Sequence, residues 1–181
     1  MDFVEGLPTS GAANYVLVVV DSFTKYAHFV PLHHPFTALV VAKAFTNHIY
    51  KLHDMSVAII SDRDRIFLSN FWYELFSLAD VQLRMSSSYH PQSDGQTERL
   101  NQTMETFLRC FVNACPSKWS LWLSSADFWY NTSVHSSIGR SPFEALYGYA
   151  PKHFGITALD SVQVPELSVW LQDHQVMKNL I

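Results

Sequence analysis

Short apolar runs, spaced by turns, recur through the first part of this chain. Tyr15–Val20 (YVLVVV) is a continuous β-branched run, typical of a strand buried on both faces. Residues 21–25 form a predicted turn, and residues 26–32 alternate well enough for a paired strand. Two further short strands are predicted at residues 57–60 and 81–85, and residues 3–4 suggest the remnant of a first strand.

Longer segments, in which apolar residues recur at helical spacing, lie between and after these strands. Thr37 is a suitable N-cap for a helix that runs to about Leu52. Residues 86–95 are rich in Ser, Pro, Asp and Gly and are predicted as a loop, followed by a helix over residues 97–114 with one apolar stripe. Further helices are predicted at Asn70–Leu78, at Trp119–Thr132 and from Ser141-Pro142 onwards.

This order of elements predicts an α/β fold, with a mixed central sheet and helices on both of its faces. Beyond Pro151 the pattern loosens, and a last helix is predicted from about Trp170. We therefore expect one domain over residues 1–150, with its first strand truncated. Residues 151–181 are expected to be an extension towards a further downstream domain.

Composition narrows the class of protein. The chain has 181 residues, 48% of them apolar and 15% charged, which favours one compact globular domain over a disordered segment. No apolar run reaches the roughly 18 residues of a membrane helix, and no signal-peptide pattern opens the chain, so we expect an intracellular protein. Cys110 and Cys115 have no zinc-site spacing, and the nine histidines show no cluster in the sequence.

The net charge of −4 weighs against a nucleic-acid-binding domain that acts alone. Bound divalent cations could offset carboxylates locally, or flanking domains could supply a basic surface.

Three carboxylates are candidate site residues, and one of them, Asp62, stands where open α/β sheets place their functional sites. Asp62 directly follows a predicted buried strand, Glu98 lies in the first turn of the long helix, and Asp2 precedes the strand remnant. If the three converge, their charges repel unless cations bind between them, and oxygen ligands suit Mg²⁺ or Mn²⁺. Taken singly, each has an ordinary explanation as a turn former, a helix-dipole partner or a solvated terminal residue. These considerations alone leave the site open.

Six stretches of this sequence, taken together, resemble motifs of one protein family. They are MDFVEGLP (1–8), VVVDSFTKY (18–26), SDRD (61–64), YHPQSDGQTERLN (89–101), WYNT (129–132) and SPFEALYG (141–148). With them, residues 1 to about 151 resemble the integrase catalytic core of gypsy-class LTR retrotransposons, which is related to retroviral integrases. The resemblance implies an RNase H-like fold.

The resemblance also implies a catalytic triad of Asp2, Asp62 and Glu98. The 35 residues from 63 to 97 separate the last two, which agrees with the family's spacing. By resemblance the triad holds two Mg²⁺ or Mn²⁺ ions and makes the chain a two-metal polynucleotidyl transferase. Asp21 and Asp64 are the nearest alternatives. Asp21 is expected to shape a hairpin, and Asp64 leaves too few residues before Glu98.

The implied activity is 3′-end processing and DNA strand transfer, which integrates the retrotransposon. The implied partners are DNA, as LTR ends and as target, and further copies of the chain in a homo-oligomer within the nucleus. Tyr89, Gln92 and Ser93 match the family's loop beside DNA, and Asn101 matches a position close to the DNA end.

Some features favour a second interpretation. Gln102 and Glu105 stand where related viral integrases place lysines, and the family's His/Cys zinc module does not precede the core. The alternative is an inactive or host-adopted integrase fragment that acts only by binding nucleic acid or protein. A different RNase H-like nuclease is disfavoured by the HPQSDGQTE segment.

Overall fold

A computed structural model describes residues 1–86, 91–112, 115–152 and 164–167, with the backbone alone at residues 91–97 and 111. Its strands form two small sheets. β1 (Asp2–Val4), β2 (Tyr15–Val20) and β3 (Ala27–Leu32) form an antiparallel sheet in that order, with Asp2 opposite Val18 and Val19 opposite His28. β4 (Ala58–Ser61) and β5 (Gln82–Met85) pair in parallel. The amino group of Met1 donates to the Ile60 carbonyl at 2.7 Å, which links the start of β1 to β4.

The helices follow the order that the sequence predicts. They are α1 (Ala38–Phe45), which continues through a π-helical turn (Thr46–Tyr50) into the short α2 (Lys51–His53), then α3 (Asn70–Leu78), α4 (Pro91–Val112), α5 (Trp119–Thr132) and α6 (Pro142–Tyr147). A 3₁₀ turn (Pro116–Lys118) precedes α5. Within the described ranges, no helix is long and apolar enough to cross a membrane.

β2 shows why helices pack on both faces of the sheet. Val16 and Val18 join a buried cluster with residues of α4 and α5, whereas Leu17 and Val19 pack into a second cluster with residues of α1 and α3. Successive side chains of a strand point to opposite faces, so a strand that is apolar throughout needs an apolar partner layer on each side. The predicted α/β arrangement, with helices on both faces, is confirmed.

Three predicted helix starts are fixed by side-chain caps. The Thr37 hydroxyl accepts from the Val40 amide at 3.4 Å, and the Ser69 hydroxyl accepts from the Trp72 amide at 3.3 Å. At α6, Ser141 and Glu144 form a reciprocal capping box, in which each side chain accepts from the other residue's backbone amide.

One predicted boundary is wrong. Residues 91–95, predicted as part of a loop, are helical, because α4 begins at Pro91 rather than near residue 97. Proline fits the first turn of a helix, where its missing N–H is not needed, so the Pro and Gly residues that suggest a loop do not prevent a helix here. Residues 86–90 and the predicted helix from Trp170 lie, apart from Ser86, outside the described residues.

Asn131 fastens α5 to the outer edge of β3. Its side-chain oxygen accepts from the Ala27 amide, and its amide nitrogen donates to the Ala27 carbonyl, each at 2.8 Å. The side chain is only 2% exposed. Both polar groups of Ala27 are therefore satisfied by one buried amide, and the sheet edge is covered rather than open to another chain.

We predict that Asn131→Ala lowers the free energy of unfolding by about 2–4 kcal/mol, because it leaves two buried backbone groups unpaired. Urea denaturation measures the loss. Asn70→Ala, at an exposed position in the first turn of α3, is the matched control. Equal losses for the two variants would show that the Asn131 contacts contribute nothing specific.

Candidate active site

Asp2 and Asp62 come together where β1 and β4 approach each other. Asp2 lies in β1, where its Oδ1 accepts from the Phe3 amide at 2.9 Å, and Asp62 directly follows β4. The bond from Met1 to Ile60 holds these two backbones side by side. The two carboxylates are close enough for the charge of Asp2 to act on the ionisation of Asp62.

Asp62 is held in a site that disfavours its charge. Its partial burial, which removes water, is the largest cause that raises the pKa of the carboxyl from 3.8 to about 6, and the charges of Asp2 and Asp64 act in the same direction. The Asp64 amide, which donates to Asp62 Oδ1 at 3.3 Å, opposes this effect. A cation bound beside Asp62 would favour the ionised carboxylate and offset the repulsion from Asp2.

Asn101 connects α4 to this pair. Its side-chain nitrogen donates to Asp2 Oδ2 at 2.8 Å, which fixes the orientation of the carboxylate. The other end of the same amide, Oδ1, is buried and has no hydrogen-bond partner among the residues that the structure describes. An unpartnered buried oxygen next to a carboxylate pair is a further hard ligand atom, of the kind that Mg²⁺ and Mn²⁺ prefer.

Glu98 lies one helical turn before Asn101 on α4, and its side chain is exposed. In the part of the chain that the structure describes, no three His, Cys, Asp or Glu side chains lie close enough to hold a metal ion together. The structure thus brings Asp2 and Asp62 together with Asn101, while Glu98 remains outside that contact. The oxygen donors that do meet fit a hard divalent cation.

The predicted DNA-contacting residues are only partly described. Tyr89 lies outside the described residues, and Gln92 and Ser93 are placed by backbone alone, in the first turns of α4. The sequence placed Asn101 near DNA, and its bond to Asp2 was missed. The three-residue spacing from Glu98, which puts both side chains on one helical face, was the available signal.

Two other expectations from the sequence have clear outcomes. Asp21 shapes the β2–β3 hairpin as predicted, because its Oδ2 accepts from the amide and the hydroxyl of Thr24 at 2.7 and 2.6 Å. The expectation that the histidines are unclustered is wrong for one pair, because the Nε2 atoms of His28 and His53 are 2.7 Å apart. These residues are 25 positions apart in sequence, and only the tertiary fold brings them together.

Comparison with known proteins shows what this chain is similar to. No protein-family model matches the chain. The chain is 36% identical over 168 residues to the Transposon Tf2-3 polyprotein of Schizosaccharomyces pombe, and the Tf2-4 polyprotein of the same organism matches to the same extent. Each match covers 93% of this chain and 12% of the polyprotein, so the chain spans a small part of these relatives.

Solved structures agree on the fold. The magnesium complex of the HTLV-2 integrase catalytic core, in its trimeric form, matches 80% of this chain and 93% of its own with a TM-score of 0.63 at 17% identity. The BIV integrase catalytic core matches 81% and 93% with a TM-score of 0.61 at 19% identity. A chain of the simian T-cell lymphotropic virus intasome in complex with the PP2A regulatory subunit B56 gamma matches with a TM-score of 0.67 at 15% identity. The match covers 86% of this chain and 58% of that chain.

The chain has the RNase H-like fold of integrase catalytic cores, as the sequence predicts. The similarity to the Tf2 polyproteins supports the predicted resemblance to the integrase core of gypsy-class LTR retrotransposons.

Asp62 makes the stability of the metal-free protein depend on pH. Its folded-state pKa of about 6 lies above the ordinary 3.8, so the penalty on the charged form is present above pH 6, shrinks as the pH falls towards 4 and is absent below that. We predict that Asp62→Asn raises the free energy of unfolding in EDTA at pH 7.5. The expected gain is on the order of 1 kcal/mol, since solvent screens a partly exposed group.

Urea denaturation at pH 7.5 and pH 4 measures this gain, which is expected to shrink to less than half its size at pH 4. Asp80→Asn, at an exposed position with φ of 55°, is the matched control. A gain of the same size at both pH values would contradict the role given to the Asp62 charge.

Proposed function

We propose that this chain provides the catalytic site of a retrotransposon DNA integrase, a two-metal polynucleotidyl transferase. The observation that carries the proposal is the Asp2–Asp62 pair, fixed from α4 by the Asn101 bond to Asp2. Two like-charged carboxylates held together and partly removed from water are costly for a resting fold and suited to cation binding. The relationship to the Tf2 polyproteins supports DNA integration as the reaction.

Asp2, Asp62 and Glu98 would hold two Mg²⁺ or Mn²⁺ ions, with Asn101 Oδ1 as a neighbouring oxygen. The HTLV-2 integrase core is described in complex with magnesium, which supports this choice of metal. When bound, such ions supply charge neutralisation at a phosphodiester and activation of an attacking oxygen. Glu98 was expected in the first turn of the helix, but α4 begins at Pro91 and Glu98 lies about two turns inside it, with its side chain exposed. The proposal therefore requires this side chain to turn towards Asp2 on metal binding.

The protein's own groups have distinct parts in this site. Asn101 holds the Asp2 carboxylate in one orientation, which fixes the direction of its free lone pairs. Burial of Asp62 strengthens its attraction for a cation by limiting competition from water. Water as the nucleophile would trim the 3′ ends of the LTR DNA, and the freed 3′-hydroxyl would then join to target DNA.

The wider assembly belongs to the same proposal. Tyr89, Gln92 and Ser93, before and within the first turns of α4, would contact DNA. Because the chain carries a net charge of −4, bound cations and flanking domains would provide the positive charge that DNA needs. A homo-oligomer is supported by the trimeric and dimeric forms of the HTLV-2 core, and the nucleus is the proposed place of action, where target DNA lies.

One observation favours a second candidate function. The Glu98 side chain is exposed, and the described residues do not form a three-ligand site. An inactive or host-adopted core that only binds nucleic acid or protein would need no such convergence.

We predict that Glu98→Gln abolishes Mg²⁺-dependent strand transfer of an LTR-end oligonucleotide by the integrase that carries this core. The loss is expected to be on the order of 1,000-fold, or about 4 kcal/mol of activation barrier, because a metal-binding charge is removed. Glu105→Gln on the same helix is the matched control, since Glu105 pairs with Arg109 at 3.1 Å instead.

Activity in Glu98→Gln equal to that of Glu105→Gln would exclude Glu98 from the site. No strand transfer by the unsubstituted protein, together with retained DNA binding, would favour the binding-only candidate.

A further inference from the structure

A pair of histidines lies on the other side of the sheet from the carboxylates. His28 stands opposite Val19 in the register, and Val19 packs into the cluster of α1 and α3, whereas Asp2 stands opposite Val18, which packs into the cluster of α4 and α5. His53 is the last residue of α2 and contacts His28.

The two imidazole rings meet head-on. Their Nε2 atoms are 2.7 Å apart and their ring centroids 4.9 Å apart, so each Nε2 points at the other. At this distance one ring donates a proton and the other accepts it with its lone pair. Tyr26 packs against both rings, with centroid distances of 5.3 and 5.7 Å.

The carboxylate of Asp127, on the Nδ1 side of His28, favours one tautomer of the His28 ring. Asp127 Oδ2 lies 3.8 Å from His28 Nδ1, and Asp127 is itself held by the Phe29 amide at 3.1 Å and by Asn131 Nδ2 at 2.8 Å. The negative charge favours a proton on Nδ1, which leaves the Nε2 lone pair of His28 directed at His53. At 3.8 Å this is an electrostatic contact and not a hydrogen bond; carboxylates that bond to metal-binding histidines orient them through the same nitrogen.

Both rings are held in the neutral form that binds metals. Burial lowers the pKa of His28 to about 4, with additional effects from His53 and His48. Burial also lowers the pKa of His53, although the charge of Asp21 acts in the opposite direction. At neutral pH a metal ion therefore meets little competition from protons at this pair.

The His28 and His53 rings have room to separate and hold a metal ion between them. Two nitrogens at about 2.0–2.1 Å from a tetrahedral zinc ion are roughly 3.3 Å apart, so the rings need to separate by about 0.6 Å. His28 is fixed, with a side chain 14% exposed, but His53 is only partly buried and ends a short helix. An open depression of about 730 Å³, lined in part by His53, Lys51 and Tyr147, leads from solvent to the ring.

We propose that His28 and His53 bind one divalent transition-metal ion of the zinc type through their Nε2 atoms, with Asp127 positioning His28. On binding, the Nε2 proton shared by the pair moves to Nδ1 of His53 through exchange with water, and the two neutral rings become ligands without net proton release. No third Cys, His or carboxylate of the described residues joins them, so water completes the coordination. The site is independent of the proposed integrase function.

The test uses the untagged 181-residue chain, freed of metal and then kept in excess Mg²⁺, which binds carboxylates and not imidazoles. Zn²⁺ is titrated by competition with a chromophoric chelator. All proteins carry Cys110→Ser and Cys115→Ser, because both thiols are free. His53→Gln and His28→Gln are compared with His33→Gln, a histidine on the exposed surface.

We expect one Zn²⁺ per chain, with affinity unchanged by His33→Gln and reduced at least about tenfold by either substitution in the pair. Asp127→Asn is expected to weaken binding by about 10–100-fold and to change the tautomer of His28, seen in its imidazole ¹⁵N shifts. Equal Zn²⁺ affinity in His53→Gln and His33→Gln would overturn the proposal.

A second measurement leaves both histidines in place, so it tests the proposal even if a substituted variant does not fold. In the unsubstituted imidazoles, the Nε2 ¹⁵N resonances of His28 and His53 are expected to move together on addition of one equivalent of Zn²⁺. If neither moves, or if those of His33 move instead, zinc binds elsewhere and the assignment is wrong.

Discussion

The repulsion between Asp2 and Asp62 is the constraint on which the site depends. Two carboxylates are held at adjacent strand ends, and one of them is sufficiently desolvated for its pKa to rise to about 6. Nothing in the local sequence favours that arrangement. It is maintained by pairing of β1 with β2, by the bond from Met1 to Ile60 and by the Asn101 bond to Asp2. The fold therefore supports a local charge arrangement that a bound cation would relieve.

α4 connects the apolar core to the Asp2–Asp62 pair. Its buried residues Leu100, Met104, Phe107 and Leu108 pack with Val16 and Val18 of β2. The same helix carries Asn101 to Asp2. Since the apolar stripe fixes the rotation of the helix, it also fixes which polar residues face the strand ends. The second apolar cluster covers the opposite face of the sheet.

Elements governed by local burial were predictable from the sequence. The bounds of β2, α3 and α5 agree with the predictions, because continuous apolar runs and helical stripes dominate their patterns. The start of α4 was not predictable in this way, since Pro and Gly indicate loops and also occur in helices. The pairing of Asp2 with Asn101 spans 99 positions, and the contact of His28 with His53 depends on how α2 returns to β3. Such contacts are set by tertiary packing, which a pattern along the chain does not encode.

The roles of the triad residues come from the family resemblance, because the physical chemistry of single residues does not assign them. Asp62 or Glu98 alone has an ordinary structural explanation, and their roles in the triad come from motif and spacing. The structure brings Asp2 and Asp62 together and leaves the Glu98 side chain exposed, outside their contact.

A crystal structure of the chain grown with Mn²⁺, with anomalous scattering to locate the metal, tests this account most directly. The account predicts two Mn²⁺ peaks within bonding distance of Asp2, Asp62 and a reoriented Glu98. Manganese bound elsewhere, with Glu98 still turned to solvent and no peak between Asp2 and Asp62, would contradict it.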